Sequence, residues 1–261
     1  MMIMRLSAPI SKAALLVLPF VIVFALVGCS GSSGSIRTRS SYQTTGVLVR
    51  DLDQAAAEGV ASVLNNSKTD STLELIINTD TLTWMDGVYT TESQSSTAFL
   101  SGSYLFSLDD GGSFDQSATF NLPAAPGATV TDPPNRLNTG GAAVSVDISS
   151  AMYADGYAVA AVHRDSAYSG FGYSAWVTSG ATGVTIPPDA FRLTDGLNPD
   201  TGWYYVYIYA YADSPDSALS NVLLPVPLPS VLSENIDERD LTGRIGGVTV
   251  SLRDSVRVPV L

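Results

Sequence analysis

The chain has one cysteine, Cys29, and one histidine, His163. A lone thiol leaves no disulfide within the chain, so whatever folds must be held by its core. A lone imidazole excludes metal sites built on histidine pairs, and any Ser-His-Asp relay would have to pass through His163. That residue continues an apolar stripe to a strand end, and its neighbours Asp165 and Ser166 form no relay by local geometry, since adjacent strand residues point apart. Neither a Gly-x-Ser-x-Gly elbow nor a His-x-x-x-His pair is present. No pair of carboxylates stands in an apolar, pocket-like setting of the kind glycosidases use. Charge is scarce too: 15% of residues are charged, 13 basic against 25 acidic, for a formal net charge of −12. This balance argues against nucleic acid, and against docking on anionic lipid by charge alone. The reading is a protein without catalytic machinery and without a cofactor.

What the chain does have begins with an address. Arg5 and Lys12 make a basic start, and Ala13 to Val27 is an apolar stretch broken by Pro19. It is short for a membrane span and ends on a small residue, the form of an export signal. Leu26-Val27-Gly28-Cys29 follows, and it resembles the lipobox of bacterial lipoproteins. The resemblance implies cleavage before Cys29 and lipidation of that residue. Acyl chains would then hold residues 29–261 on the cell envelope. Ser30 in place of Asp after the cysteine implies the outer membrane, if the cell is Gram-negative. Loss of Arg5 and Lys12 with the signal would make the exported part still more acidic.

Residues 29–41 are rich in Ser and Gly and read as a flexible tether. From Gly46 onward, short apolar runs alternate with Gly, Pro, Asn, Asp and Ser clusters, the texture of all-β domains. Gln54 to Leu64 is the one place where a helix competes with a strand. Ser96 to Leu108 places Ala98, Leu100, Tyr104 and Phe106 on one face, with Gly102 marking a bulge. Asp109-Asp110-Gly111-Gly112 turns the chain into Ser117–Leu122. Asp109, Asp110 and Asp115 are weak candidates for Ca²⁺, though hairpin turns want the same residues and the spacing is not that of an EF-hand. Prolines 123, 126, 133 and 134 mark an internal boundary. The organisation is therefore a signal peptide (1–28), a tether (29–41), a β domain (42–122), a second β-sandwich (123–230) and an extension (231–261). In the extension, Gly246–Arg253 and Ser255–Leu261 read as the arms of a C-terminal hairpin. It would either complete the first sheet or cover the second.

The segment Trp203 to Ala212 organises the second domain. Alternation splits it into Tyr204, Val206, Ile208 and Ala210 on one face, and Trp203, Tyr205, Tyr207, Tyr209 and Tyr211 on the other. Neither face carries charge, which suits a central strand. Gly196-Leu197-Asn198-Pro199-Asp200-Thr201 followed by Tyr204-x-Val206-x-Ile208-x-Ala210 resembles the loop and sixth strand of fibronectin type III domains. Gly156-Tyr157-Ala158-Val159 is similar to that family's third strand. The resemblance implies an Ig-like or fibronectin-III-like sandwich, with Tyr204 as a corner tyrosine whose hydroxyl reaches back to the loop. Two departures stand out: Gly202-Trp203 lengthens the loop by one residue, and the second strand lacks the usual tryptophan. The first domain is expected to be a second, diverged sandwich.

If the aliphatic stripe fills the core, the aromatic stripe faces the other way, beside Ala158, Ala160 and Val162. Three outcomes follow: cover by the rest of the chain, a protein partner anchored on Tyr and Trp, or a sugar stacked on the rings. The functional expectation is a lipid-anchored envelope protein with a non-catalytic binding, adhesion or scaffolding role; the alternatives are a carbohydrate-binding module using Trp203, Tyr205, Tyr207 and Tyr209, or an accessory domain of an envelope enzyme complex. Its partners would be the membrane, through Cys29, and an envelope protein or glycan.

Overall fold

A computed structural model describes residues 42–91, 94–112, 115–165, 173–193, 196–216, 232–238 and 240–260. Cys29, the export signal, the tether and the strand expected at Leu219–Leu224 lie outside the described residues. The strands are β1 (Tyr42–Asp51), β2 (Ala56–Asn65), β3 (Lys68–Thr69), β4 (Glu74–Ile77), β5 (Asp80–Met85), β6 (Val88–Thr90), β7 (Gln94–Ser95), β8 (Gly102–Asp109) and β9 (Asp115–Leu122). The second half adds β10 (Gly127–Asp132), β11 (Val144–Ser149), β12 (Gly156–His163), β13 (Tyr173–Thr178), β14 (Gly183–Ile186), β15 (Gly202–Asp213), β16 (Ile236–Asp237) and β17 (Leu241–Val258). One turn of 3₁₀ helix, Pro188–Phe191, is the only helix among the described residues. The segment where a helix competed with a strand is strand β2, whose β-branched Val60 and Val63 pack on opposite faces.

The first half folds as two layers joined at a corner. Strands β17, β1, β2 and β6 run side by side in one layer, and β4, β8 and β9 form the other. β5 belongs to both, because Thr83–Met85 pair with β6 while Asp80–Leu82 pair with β4. A strand that changes sheets in this way turns the corner of a sandwich. Leu48, Ala61 and Val63 from one layer meet Leu75, Ile77, Phe106 and Phe120 from the other, all buried. Each such side chain withdrawn from water contributes about 2 kcal/mol. The expected stripe of β8 is re-phased. Residues 96–101 precede the strand, which begins at Gly102, so Tyr104, Phe106 and Leu108 point inward while Leu100 is 65% exposed. Phe99 takes the buried place beside Tyr104, with ring centroids 5.9 Å apart.

The second half is a sandwich of three strands on four. β10, β11 and β14 form one sheet, and β13, β12, β15 and β17 form the facing one. Counting these seven in chain order, strands one, two and five oppose four, three, six and seven, the fibronectin-III-like Greek-key arrangement. Val144, Val146 and Ile186 pack against Tyr157, Val159, Val206, Ile208 and Val256. The fold class is all-β, and both halves are sandwich-like.

β17 corrects the expectation of a C-terminal hairpin. Leu241–Val258 is one strand of 18 residues, and both proposed arms lie within it. Leu241–Val250 pairs in parallel with β1, while Gly246–Val258 pairs antiparallel with β15. The extension thus supplies an edge to the first sandwich and the seventh strand to the second. The described residues fall in one compact unit. The polar pair Arg253-Asp254, which reads as a turn, sits at a bulge opposite Val206 and Tyr207. Asp254 is held there by partners on and after β10: its carboxylate accepts from the Val130 N–H (3.1 Å) and pairs with Arg136 (2.7 Å). With its charge satisfied sideways, the strand runs on through the polar pair.

The two sandwiches meet closely. At Gly247 a Cβ would come within 2.8 Å of Leu122 Cα, so β9 ends directly on β17. Beside it the buried Arg50 guanidinium donates to the Phe99 and Pro123 carbonyls, each at 3.2 Å, and Thr249 donates to the same Pro123 carbonyl at 2.7 Å. Burial holds the pKa of Arg50 below its ordinary value.

Candidate aromatic binding face

Strand β15 delivers the expected division of faces. Tyr204, Val206, Ile208 and Ala210 are all buried in the core of the second sandwich. Tyr204 is a corner tyrosine: its hydroxyl donates to the Asp200 carbonyl (3.2 Å) and carboxylate (2.9 Å). Its ring stands edge-on to Phe191 and His163, with centroids 5.0 Å away in both cases. Burial, then the Asp200 carboxylate, pushes the Tyr204 phenol far above its ordinary pKa.

His163 is part of this corner. Its Nε2 lies 3.3 Å from the Thr201 carbonyl, and its Nδ1 lies 3.0 Å from the Asp165 carbonyl and 3.1 Å from the Asp165 N–H. The loop's extra residue has a steric purpose here. Gly202 has φ +153, and a side chain at that position would run into the His163 ring. Both ring nitrogens are spent on the backbone, so the imidazole positions a loop.

The aromatic stripe lies on the opposite face of the sheet. The pairing of β15 with β12 places Tyr211, Tyr209, Tyr207 and Tyr205 across from Gly156, Ala158, Ala160 and Val162. The stripe is not a uniform platform, because the chain covers its rings to different extents. Tyr209 is fully buried in a third apolar cluster with Ala158, Ala160, Val47, Val248 and Val250. Tyr211 lies over Gly156, where a methyl group would collide with its ring, and meets Trp176 edge-on at 4.4 Å. Tyr207 is half-buried, and its pKa is raised by burial and then by the charges of Asp53 and Asp51. Tyr205 packs edge-on to Tyr207, with centroids 6.3 Å apart.

Only the far end opens. Trp203 is 43% exposed, and the Arg257 guanidinium lies 6.0 Å from its ring centroid, the geometry of a cation–π contact. Arg257 faces Trp203 across the β15–β17 ladder. On the other side the Arg164 N–H donates to the Trp203 carbonyl at 2.7 Å, which puts Arg164 across from the same residue. Sequence reasoning found Trp203 but missed both arginines. Alternation marks Arg257 as outward between Val256 and Val258, yet nothing local says which residue stands opposite.

The aspartates considered for Ca²⁺ are engaged in the β8–β9 turn. Asp109 accepts from the Gly111 N–H (2.7 Å) and Asp110 from the Gly112 N–H (2.8 Å), while Asp115 pairs with Asp109 across the ladder. Among the described residues no three His, Cys, Asp or Glu side chains gather as a metal site.

No family model matches the chain, and no curated protein matches it. Among solved structures, a two-domain fibronectin type III segment from chicken tenascin is 14% identical, covering 59% of this chain and 83% of that one, with a TM-score of 0.25. The FN1-FN3 domains of chicken CNTN1 are 12% identical, covering 66% and 58%, with a TM-score of 0.26. A cytokine receptor complex is 13% identical, covering 80% and 95%, with a TM-score of 0.27. Scores this low carry no argument, and the fold assignment rests on strand order and the tyrosine corner.

Proposed function

We propose that this chain is a lipid-anchored protein of the cell envelope with a non-catalytic binding role, exercised through the open end of the aromatic stripe. The anchor is Cys29, within Leu26-Val27-Gly28-Cys29, with the outer membrane as its destination in a Gram-negative cell. The observation that supports binding is Trp203: a large indole held half in water at the tip of a central strand, with its backbone fixed by the β17 ladder on one side and the Arg164 N–H on the other. Exposed aromatics on stiff strands are interface anchors, because little conformational freedom is lost when they are covered.

The exposed patch also favours one of the two binding readings. Trp203 at 43% exposure offers about 100 Å² of indole, using the 150–250 Å² span of a whole aromatic side chain. A stable protein interface needs roughly 800 Å² from each partner. With Tyr209 buried and Tyr207 half-buried, the surface suits a sugar ring better than a protein face. A glycan array probed with the full chain and with Trp203→Ala tests this. Binding lost in the variant is the expected result, and binding unchanged removes this surface from the function. The anchor is tested separately: Cys29→Ser should leave the membrane fraction with its fold intact.

A further inference from the structure

The tip of the stripe is cationic on a protein that is otherwise acidic. Against a formal net charge of −12, Arg257 faces Trp203 across the β17 ladder, Arg164 bonds it through its backbone just past the end of β12, and Arg253 stands exposed at the β17 bulge. Among the described residues, none of these three has a carboxylate within ion-pair distance. The acidic side chains near by are partly engaged: Asp254 is held by Arg136 and Val130, and Asp53 accepts from the Leu252 N–H. Asp165, beside Arg164, is exposed.

An indole with one guanidinium over its ring, and a second, exposed arginine bonded through its backbone to the same residue, recognises a flat ring that carries an anion. The apolar C–H face of a pyranose covers the exposed indole, and a planar carboxylate on that ring takes two parallel N–H bonds from an arginine fork. The guanidinium of Arg257 occupies one side of the Trp203 ring, and the exposed remainder of the indole is left for the sugar. We infer that the ligand of this surface is an acidic polysaccharide, a chain of hexuronate units, bound through Trp203 with Arg257 and Arg164 reading the carboxylate. This rests on the sugar-binding reading above and narrows it to one charge class. A single-stranded nucleic acid also offers rings and anions, but it binds through a broad basic surface, which three arginines on a −12 chain do not form.

The test uses the full chain and three soluble probes: polygalacturonate, the same polymer fully methyl-esterified, and a single-stranded oligonucleotide. Affinity electrophoresis through gels containing each probe reads the binding. Retardation by polygalacturonate is expected, about tenfold weaker with the ester, weaker again as salt is raised, and absent with the oligonucleotide. Trp203→Ala should abolish binding, and Arg257→Gln and Arg164→Gln should each weaken it about tenfold for polygalacturonate while leaving the ester unchanged. Circular dichroism and denaturation midpoints of the variants should match the parent, since all three side chains are exposed. Equal binding of acid and ester, with Trp203 still required, overturns the charge assignment and leaves sugar binding standing. No binding of either polymer overturns both, and preference for the oligonucleotide overturns the choice of polymer.

Discussion

The hydroxyl of Tyr204 closes onto Asp200, four residues before it in the chain, through both the carbonyl and the carboxylate of that residue. The phenol is fully buried, so its proton has no solvent alternative, and loop and strand are locked at the point from which the open tip projects.

Tyr204→Phe keeps the ring contacts with Phe191 and His163 and removes only the hydroxyl. A loss of about 1–3 kcal/mol is expected, because a buried donor to a charged acceptor is removed. The variant should also respond differently to alkali. The folded pKa of Tyr204 lies above the unfolded value near 10, so its contribution is complete below about pH 10 and is lost as pH rises towards the folded value. Denaturation midpoints between pH 9 and 11 should fall more steeply in the parent than in Tyr204→Phe. Parallel slopes would show that the corner does not hold the proton.

Asp213 joins the two sandwiches. Its carboxylate accepts from the backbone and side-chain amides of Asn121 (2.6 and 3.3 Å), while its own N–H donates to Asp155 (2.6 Å). Burial raises its pKa, and the charge of Asp155 adds to this. For an acid raised in this way, the stabilising contribution is present below the unfolded value near 4 and disappears as pH rises through the folded one. Asp213→Asn is therefore expected to be more stable than the parent at pH 7, with the gain vanishing near pH 4. Asn also tolerates the positive φ of 57° at this position. Urea midpoints of both proteins at pH 4 and pH 7 check it, and a variant weaker at pH 7 would refute it.

Gly247 is where β17 passes beneath the end of β9. A methyl group there meets first the backbone of Asn121 and Leu122, whereas one at Gly156 meets first the ring of Tyr211. Backbone gives way less easily than a side chain, so Gly247→Ala should cost about 2–3 kcal/mol and Gly156→Ala less. Thermal unfolding of the two variants under one set of conditions ranks them. The reverse order would mean that the sandwiches are not in contact through β17.

Part of this architecture was readable from residues alone. The alternation of Tyr204, Val206, Ile208 and Ala210 against the aromatic stripe follows from the geometry of any extended strand, so the inward and outward sets came out correctly. The corner tyrosine came from the resemblance of Gly196–Thr201 and Tyr204 to a fibronectin type III loop and strand, and the third strand from that of Gly156-Tyr157-Ala158-Val159. Leu100 went astray because its alternation was counted through residues that precede the strand.

What the chain's order of residues settled by itself is which segments extend and which side of each is apolar, since both depend on neighbours within a few bonds. Tertiary structure alone decided that β17 serves two sandwiches, that Tyr209 is covered while Trp203 is open, and that Arg257 stands over the indole. Those outcomes depend on which strands pair and in what register, and pairing joins residues up to about 200 positions apart. A side chain's face is a local property, whereas its cover belongs to the assembled sheet.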